Sequence, residues 1–407
     1  MIPSPTLAPP PLILKANFYS SLVYTFLLFL VLALSSCNAT EKKVAAKAAP
    51  AAGLILPPAT IISPAEKATL EMACRHWYDS VLKNGPFNGG MLVAKGGNIL
   101  FETYKGTRNL KGTDSINAQT PFHIASVTKT FTAMGILKLV EQEKVQLADE
   151  FSKYFPAFNY PGVTIQTLLN HRSGLPNYLY FMEDLGWSDT VIIKNSDILN
   201  YLITRKSELL NIATPDTRFN YCNTNYALLA LLIEKVTGLS YPRFMQETFF
   251  GPLGMKETFV YTPAESHRAT PNFDWRGQAN ANNYLDEVYG DKNIYSTPRN
   301  LLTWHRALQS NILFKPATLI DAYEPYSNER PGIKNYGLGW RMNIYPNGKK
   351  VVFHNGWWHG NNASFVRLVD QDVCIIAVGN RFNSGIYKAY KMVNSFGNYF
   401  GTVDVEE

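Results

Sequence analysis

Apolar and polar residues recur at helical spacing over residues 65–83, and the run stops at Asn84-Gly85-Pro86, a cluster that breaks helices. Two short strand patterns follow, Gly90–Lys95 and Asn98–Tyr104, and the Gly96-Gly97 pair between them predicts a hairpin. From Ser126 to Gln142 the apolar positions Phe131, Met134, Ile136, Leu139 and Val140 predict a helix that is almost wholly buried. Residues 141–289 read as helical segments and long loops, the clearest helix being Tyr226–Val236, which ends at Gly238, a cap signal. After a helix at Thr297–Gln309, strand patterns return at Tyr336–Tyr345, Lys350–His354, Ser364–Val369 and Val373–Val378. Pro346-Asn347-Gly348 and Asp370-Gln371-Asp372 supply turns for an antiparallel meander, and a closing helix covers Ser384–Phe400.

Strands near both chain ends with helices between them predict an α+β fold of three-layer α/β/α type. One antiparallel sheet is built from residues 65–140 and 290–407 and flanked by helices, and a mostly helical lobe, 141–289, is inserted. A cleft is expected where the lobes meet. No period of 20 to 50 residues repeats, which excludes a solenoid or propeller.

The stretch Leu22–Leu34 is apolar except for Thr25; its 13 residues are short for a membrane span and suit an export signal. Leu34-Ser35-Ser36-Cys37 resembles a bacterial lipobox, which implies cleavage before Cys37 and a diacylglycerol on its thiol. Residues 1–37 are therefore expected to be a lipoprotein-type signal, and 38–64, rich in Ala, Pro and Lys, a flexible tether. That arrangement would hold residues 65–407 at a membrane of the cell envelope, facing the periplasm or the exterior.

Composition narrows the function. With 46% hydrophobic residues among 407, the chain can bury a large core and is not disordered. The net charge of +6, with no basic run, argues against a nucleic-acid partner. Once Cys37 is assigned to lipid, Cys74, Cys222 and Cys374 remain, an odd number, so at least one is free or pairs between chains. No C-x-x-C, H-E-x-x-H, Walker loop or G-x-G-x-x-G occurs, so neither a metal nor a cofactor is expected.

The candidate chemistry starts at Ser126-Val127-Thr128-Lys129. Serine at a helix start with lysine three residues on puts hydroxyl and amine on one face, and the helix dipole there favours a developing alkoxide. A buried lysine amine can take the serine proton. The pattern alone is common; Ser80-Val81-Leu82-Lys83 matches too, but near a helix end, where the dipole has the wrong sign. Tyr221-Cys222-Asn223 follows Ser126 by 95 residues and His354-Asn355-Gly356 by 228, the first leading into a helix and the second ending a strand. In extended backbone Tyr221 and Asn223 point the same way, with Cys222 inward.

In this order the motifs resemble the penicillin-recognising serine hydrolases: class C β-lactamases, D-alanyl-D-alanine carboxypeptidases, D-aminopeptidases and related esterases. Pro121-Phe122-His123-Ile124-Ala125, the segment Leu168–Pro176, Asn223-Thr224-Asn225-Tyr226 and Pro252-Leu253-Gly254-Met255 extend the resemblance over roughly residues 85–400. It implies Ser126 as acylated nucleophile, Lys129 as its proton partner, Tyr221 as general base and Asn223 as a ligand of substrate and of Lys129. It also implies an oxyanion hole from the backbone N–H groups of Ser126 and Trp357, with Gly356 leaving room for substrate backbone. A tyrosine with the reference pKa of about 10 is a poor base near neutrality, so Tyr221 needs help from Lys129 and the field of the site. β-Lactamases of this type usually carry lysine where this chain has His354, so an ester or amide in a D-amino peptide or small acyl ester is the expected substrate before a β-lactam. His171 reads as a turn-stabilising residue, and Tyr178, Tyr180, Phe181, Trp187, Trp357 and Trp358 as candidates for an aromatic mouth. The alternative is a non-catalytic cell-wall binding or sensor protein that keeps the fold.

Overall fold

Neighbouring residues in the segment Val373–Gly379 show how the layers arise. In the computed structural model, which describes residues 53–401, Val373, Ile375 and Ala377 join one apolar cluster, and Cys374, Ile376 and Val378 join another. A strand with period two and both faces apolar must be covered on both sides.

Five helices bear on the site: α1 (Pro64–Val81), α2 (Thr128–Glu141), α3 (Tyr178–Asp184), α4 (Asn223–Thr237) and α5 (Pro298–Gln309). The strands are β1 (Gly89–Lys95), β2 (Asn98–Lys105), β3 (Phe122–His123), β4 (Phe259–Val260), β5 (Ile294–Ser296), β6 (Lys334–Tyr336), β7 (Arg341–Ile344), β8 (Lys350–Trp358), β9 (Asn361–Leu368) and β10 (Val373–Gly379). The main sheet is antiparallel in the order β2-β1-β10-β9-β8-β7-β6. Its centre joins the two ends of the chain, with Met91 opposite Ala377. A three-stranded sheet, β3-β5-β4, lies apart from it.

One face of the main sheet is covered by α1 and the 3₁₀ segment Ser384–Phe396, through Leu70, Cys74, Ile386 and Val393. The other is covered by α5 and the residues that lead into α2, with α4 packed on α2 in turn, and Phe131 of α2 stacks on Trp304 of α5 at 4.5 Å between centroids. The fold is thus α+β in three layers. Among the described residues, no helix is long and apolar enough to cross a membrane.

Several elements differ from the reading of the sequence. The strand predicted over Tyr336–Tyr345 is two, β6 and β7, turned at Gly337-Leu338-Gly339. Gly339 has φ +87°, and a Cβ there would lie 2.3 Å from that of Ala133. Because the turn sits within an alternating apolar pattern, periodicity does not reveal it. The closing helix starts at Ser384 as expected, is 3₁₀ in form and ends at Phe396, short of Phe400. Residues 54–60, expected in the free tether, are bound: Leu54 N–H donates to the Pro252 carbonyl and Thr60 N–H to that of Gly96, each at 2.8 Å. The bare Gly96 makes room, since a Cβ there would meet Thr60 Oγ1 at 1.8 Å. Cys37 and the signal segment lie outside the described residues.

Candidate active site

The turn that carries Ser126 is braced from below. Ala125 has φ +46°, a left-handed conformation that a non-glycine residue keeps only when its surroundings hold it. Its N–H donates to His123 Nδ1 at 3.1 Å, so the proton of that ring sits on Nε2, which donates to Asn293 Oδ1 at 2.9 Å. Burial depresses the His123 pKa to about 4, so the brace is neutral. Ser126 follows in a single 3₁₀ turn, Ala125–Val127, that runs into α2, and its side chain opens to the cleft.

One turn on, Lys129 is fully buried. Its Nζ lies 3.0 Å from Ser126 Oγ, 2.7 Å from Asn223 Oδ1 and 2.8 Å from the Asp291 carbonyl oxygen. As an ammonium it donates to all three; as a neutral amine it donates to Asn223 and Asp291 and turns its lone pair to the serine hydroxyl. Asn223 reaches it because it is the first residue of α4, just after the extended Cys222. Cys222 points inward, with Sγ 3.4 Å from the Pro176 carbonyl. Cys74, Cys222 and Cys374 are all free and buried.

Tyr221 presents its ring to the same nitrogen, with Lys129 Nζ 5.1 Å from the centroid. His171 backs that ring at 4.4 Å and accepts the Cys222 N–H at 3.1 Å. It is buried, and its pKa lies well below the usual value because of burial and the cations of Lys129 and Arg341.

The third motif lies on β8. Phe353, Asn355, Gly356 and Trp357 line the cleft, while His354 between them turns away from it. His354 is fully buried and does not line the cleft. Its Nδ1–H donates to the Asn355 carbonyl at 2.7 Å, and Nε2 accepts the Tyr336 hydroxyl at 3.1 Å. Burial, Arg341 and Lys129 hold its pKa well below the usual value, so the ring is neutral. The position that carries lysine in β-lactamases of this type therefore presents no cation to substrate in this chain. Gly356 is required by the protein itself, because a Cβ there would lie 2.3 Å from the Ile124 carbonyl oxygen and 3.0 Å from Ser126 N. That contact sets the backbone of Ser126 beside β8 immediately before Trp357, whose ring is 64% exposed.

The cleft has a volume of about 1580 Å³. Tyr180, Phe181, Trp357 and Trp358 line it; Tyr178 is buried beneath it, and Trp187 packs instead on Tyr201 at 5.5 Å. Three features escaped the reading of the sequence. Arg341 on β7 lines the cleft, its guanidinium 4.8 Å above the Tyr221 ring and without an ion pair or hydrogen bond among the described residues. Asp291 and Lys292 form a buried pair at 3.6 Å, and His359 pairs with Asp286 at 3.1 Å. The adjacent charges of Asp291-Lys292, so close to the apolar Ile294, were the available signal for burial of an ion pair. No group of three or more His, Cys, Asp or Glu side chains among the described residues is placed to hold a metal.

A buried lysine touching a serine at a helix start, inside a three-layer α+β fold, defines the class of β-lactamase-like serine hydrolases. Residues 81–392 match the Beta-lactamase family, and the chain belongs to that family. Penicillin-binding protein 4* of Bacillus subtilis (strain 168) is 30% identical over 321 residues, which are 75% of this chain and 70% of that protein. In fold the chain is similar to a penicillin binding protein from Bacillus halodurans, with a TM-score of 0.68 at 21% identity over 80% of this chain and 98% of that one. A D-stereospecific amidohydrolase from Streptomyces sp. shares the fold at a TM-score of 0.58 and 21% identity, over 80% of this chain and 97% of that one.

Proposed function

We propose that the chain is an exported serine hydrolase that cleaves an ester or amide through an acyl-enzyme on Ser126. The observation that carries this reading is the contact of Lys129 Nζ with Ser126 Oγ at 3.0 Å, inside a shell of two fixed acceptors. Held by Asn223 and Asp291, the amine has its remaining position for the serine proton, and Oγ attacks the carbonyl as that proton leaves. Tyr221 then passes a proton to the leaving group, and the reverse route activates the water that releases the acyl group. The backbone N–H groups of Ser126 and Trp357 receive the oxyanion, a type of contact worth roughly 10²–10³ in rate for each donor.

The substrate that fits best is a D-amino peptide ending in a carboxylate. With His354 neutral and buried, the guanidinium of Arg341, which has no ion pair among the described residues, supplies the charge, and its planar fork suits two carboxylate oxygens. The name of the Bacillus subtilis relative, a penicillin-binding protein, supports acylation of Ser126 by penicillin-type amides. A second reading, hydrolysis of apolar acyl esters, is favoured by Tyr180, Leu210 and Trp357, which line the cleft with 67%, 75% and 64% of their surface exposed. Export and anchoring rest on the apolar Leu22–Leu34 and on Cys37.

A panel of D-alanyl-D-alanine peptides, p-nitrophenyl esters and nitrocefin, assayed on the body lacking residues 1–52, tests the reading. Peptide cleavage that depends on Ser126 is the expected result. No turnover of any of them, with muropeptide binding unchanged in Ser126→Ala, would favour the non-catalytic binding protein.

A further inference from the structure

The cleft-lining stretch of β8 has a cation at each end. Arg341 stands at one, since it pairs with Phe353 across the β7–β8 ladder. At the other, past Trp358, lie Lys292 and His359, both lining the cleft. From Phe353 to Trp358, just before His359, is roughly 17 Å of extended chain at about 3.3 Å per residue. Gly356, on which Ser126 rests, lies between.

Lys292 and His359 form one patch around Trp358. Lys292 Nζ lies 4.8 Å from the centre of the Trp358 ring, and the His359 ring centre 4.7 Å from it. The Lys292 ammonium donates to Tyr178 Oη; its next acceptor, Asp291 Oδ1, is 3.6 Å away, beyond hydrogen-bond distance. An ammonium has three N–H groups, so two are without a partner among the described residues, as is the buried Asp291 Oδ1. Burial holds the lysine pKa below its ordinary value, so the charge is short of solvation where it stands.

His359 is built in with equal care. Its backbone has φ +50°, outside the range a non-glycine residue adopts freely. Asp286 accepts from Nε2 at 3.1 Å and is fixed by Trp358 Nε1 and Asn283 N–H, each at 2.6 Å. Nδ1 has no partner among the described residues, on a side chain that is 20% exposed and lines the cleft. Lys292 is thus held from behind by Tyr178 Oη and His359 by Asp286, and each keeps nitrogen-donor positions without a partner among the described residues.

We propose that Lys292 and His359 form a second anion subsite, which takes a carboxylate on the acyl side of the substrate. The inference rests on the acyl-enzyme reading. With the scissile bond at Ser126 and the leaving-group carboxylate at Arg341, the acyl part extends toward the opposite end of β8. Lys292 Nζ donates to one carboxylate oxygen, and protonated His359, through Nδ1–H, to the other. The substrate class is a D-amino acyl compound with an acidic group some way from the bond that breaks.

The p-nitrophenyl esters of N-glutaryl-D-alanine and of its carboxamide analogue differ only in that charge. The wild type is expected to favour the glutaryl ester about 10-fold or more in kcat/KM. Lys292→Met and His359→Gln each bring the ratio toward one, Lys292→Arg keeps most of it, and Arg341→Gln leaves it in place. As a ratio within each variant, the measurement is insensitive to how much of the protein is folded. A ratio near one in the wild type, or one that survives both Lys292→Met and His359→Gln, overturns the proposal. Failure to hydrolyse either ester would instead remove the acyl-enzyme reading on which it stands.

Discussion

Gly356 lies so close under the turn of Ser126 that a single added methyl would sit 2.3 Å from the Ile124 carbonyl oxygen. Backbone cannot yield there without moving the nucleophile. Gly356→Ala is therefore expected to destabilise the fold by about 1–3 kcal/mol and to slow acylation by at least about 10²-fold. Thermal melting and the acylation rate with a penicillin-type probe check this. A normal rate would show that the turn and β8 are not mutually fixed.

His354 is neutral, buried and bonded at both ring nitrogens. Installing the lysine usual in β-lactamases of this type places an ammonium where the only fixed partners are a tyrosine hydroxyl and a backbone carbonyl. His354→Lys should lower stability by on the order of 3 kcal/mol and bring no gain in nitrocefin hydrolysis. A stable, nitrocefin-active variant would contradict the burial argument.

If Arg341 holds the leaving-group carboxylate, Arg341→Gln raises KM for D-alanyl-D-alanine peptides by about 10- to 100-fold, the range of a charge-assisted hydrogen bond. The KM for an uncharged p-nitrophenyl ester should move far less. Equal effects on both would assign Arg341 to positioning Tyr221, on whose ring it lies at 4.8 Å.

The buried histidines set an acid limit. His123 and His305, with burial as the leading cause in each, have pKa values lowered from 6.5 to about 4. Above pH 6.5 neither state of the chain binds these protons, so they do not affect stability. As the pH falls toward 4, the unfolded chain takes up protons that the folded chain refuses. Stability should drop by up to about 1.4 kcal/mol per pH unit for each histidine, levelling off for this pair below about 4. Melting temperatures between pH 7.5 and 4.5 provide the measurement; a flat profile would contradict it.

The parts of the site that were legible are those fixed by local periodicity. Lys129 follows Ser126 by one turn, from the 3₁₀ segment into α2, and Tyr221 and Asn223 flank the extended Cys222, so spacings of three and two residues indicated their relation. β8 runs four residues beyond the predicted end at His354, because Asn355-Gly356-Trp357-Trp358 lacks the β-branched alternation of a strand and is held by pairing with β9. Arg341 was hidden by the glycine turn that splits β6 from β7. Lys292 and His359 meet only through Trp358, a contact between segments that no local pattern encodes. For Gly356 the sequence suggested a close approach, but only the folded chain shows that the neighbour is Ile124.

The most direct test of Ser126 as nucleophile is peptide mapping by mass spectrometry after treatment with a fluorophosphonate or penicillin-type probe. One adduct, on Ser126 and lost in Ser126→Ala, is the predicted result. An adduct on Ser80, or equal labelling of wild type and Ser126→Ala, would contradict it.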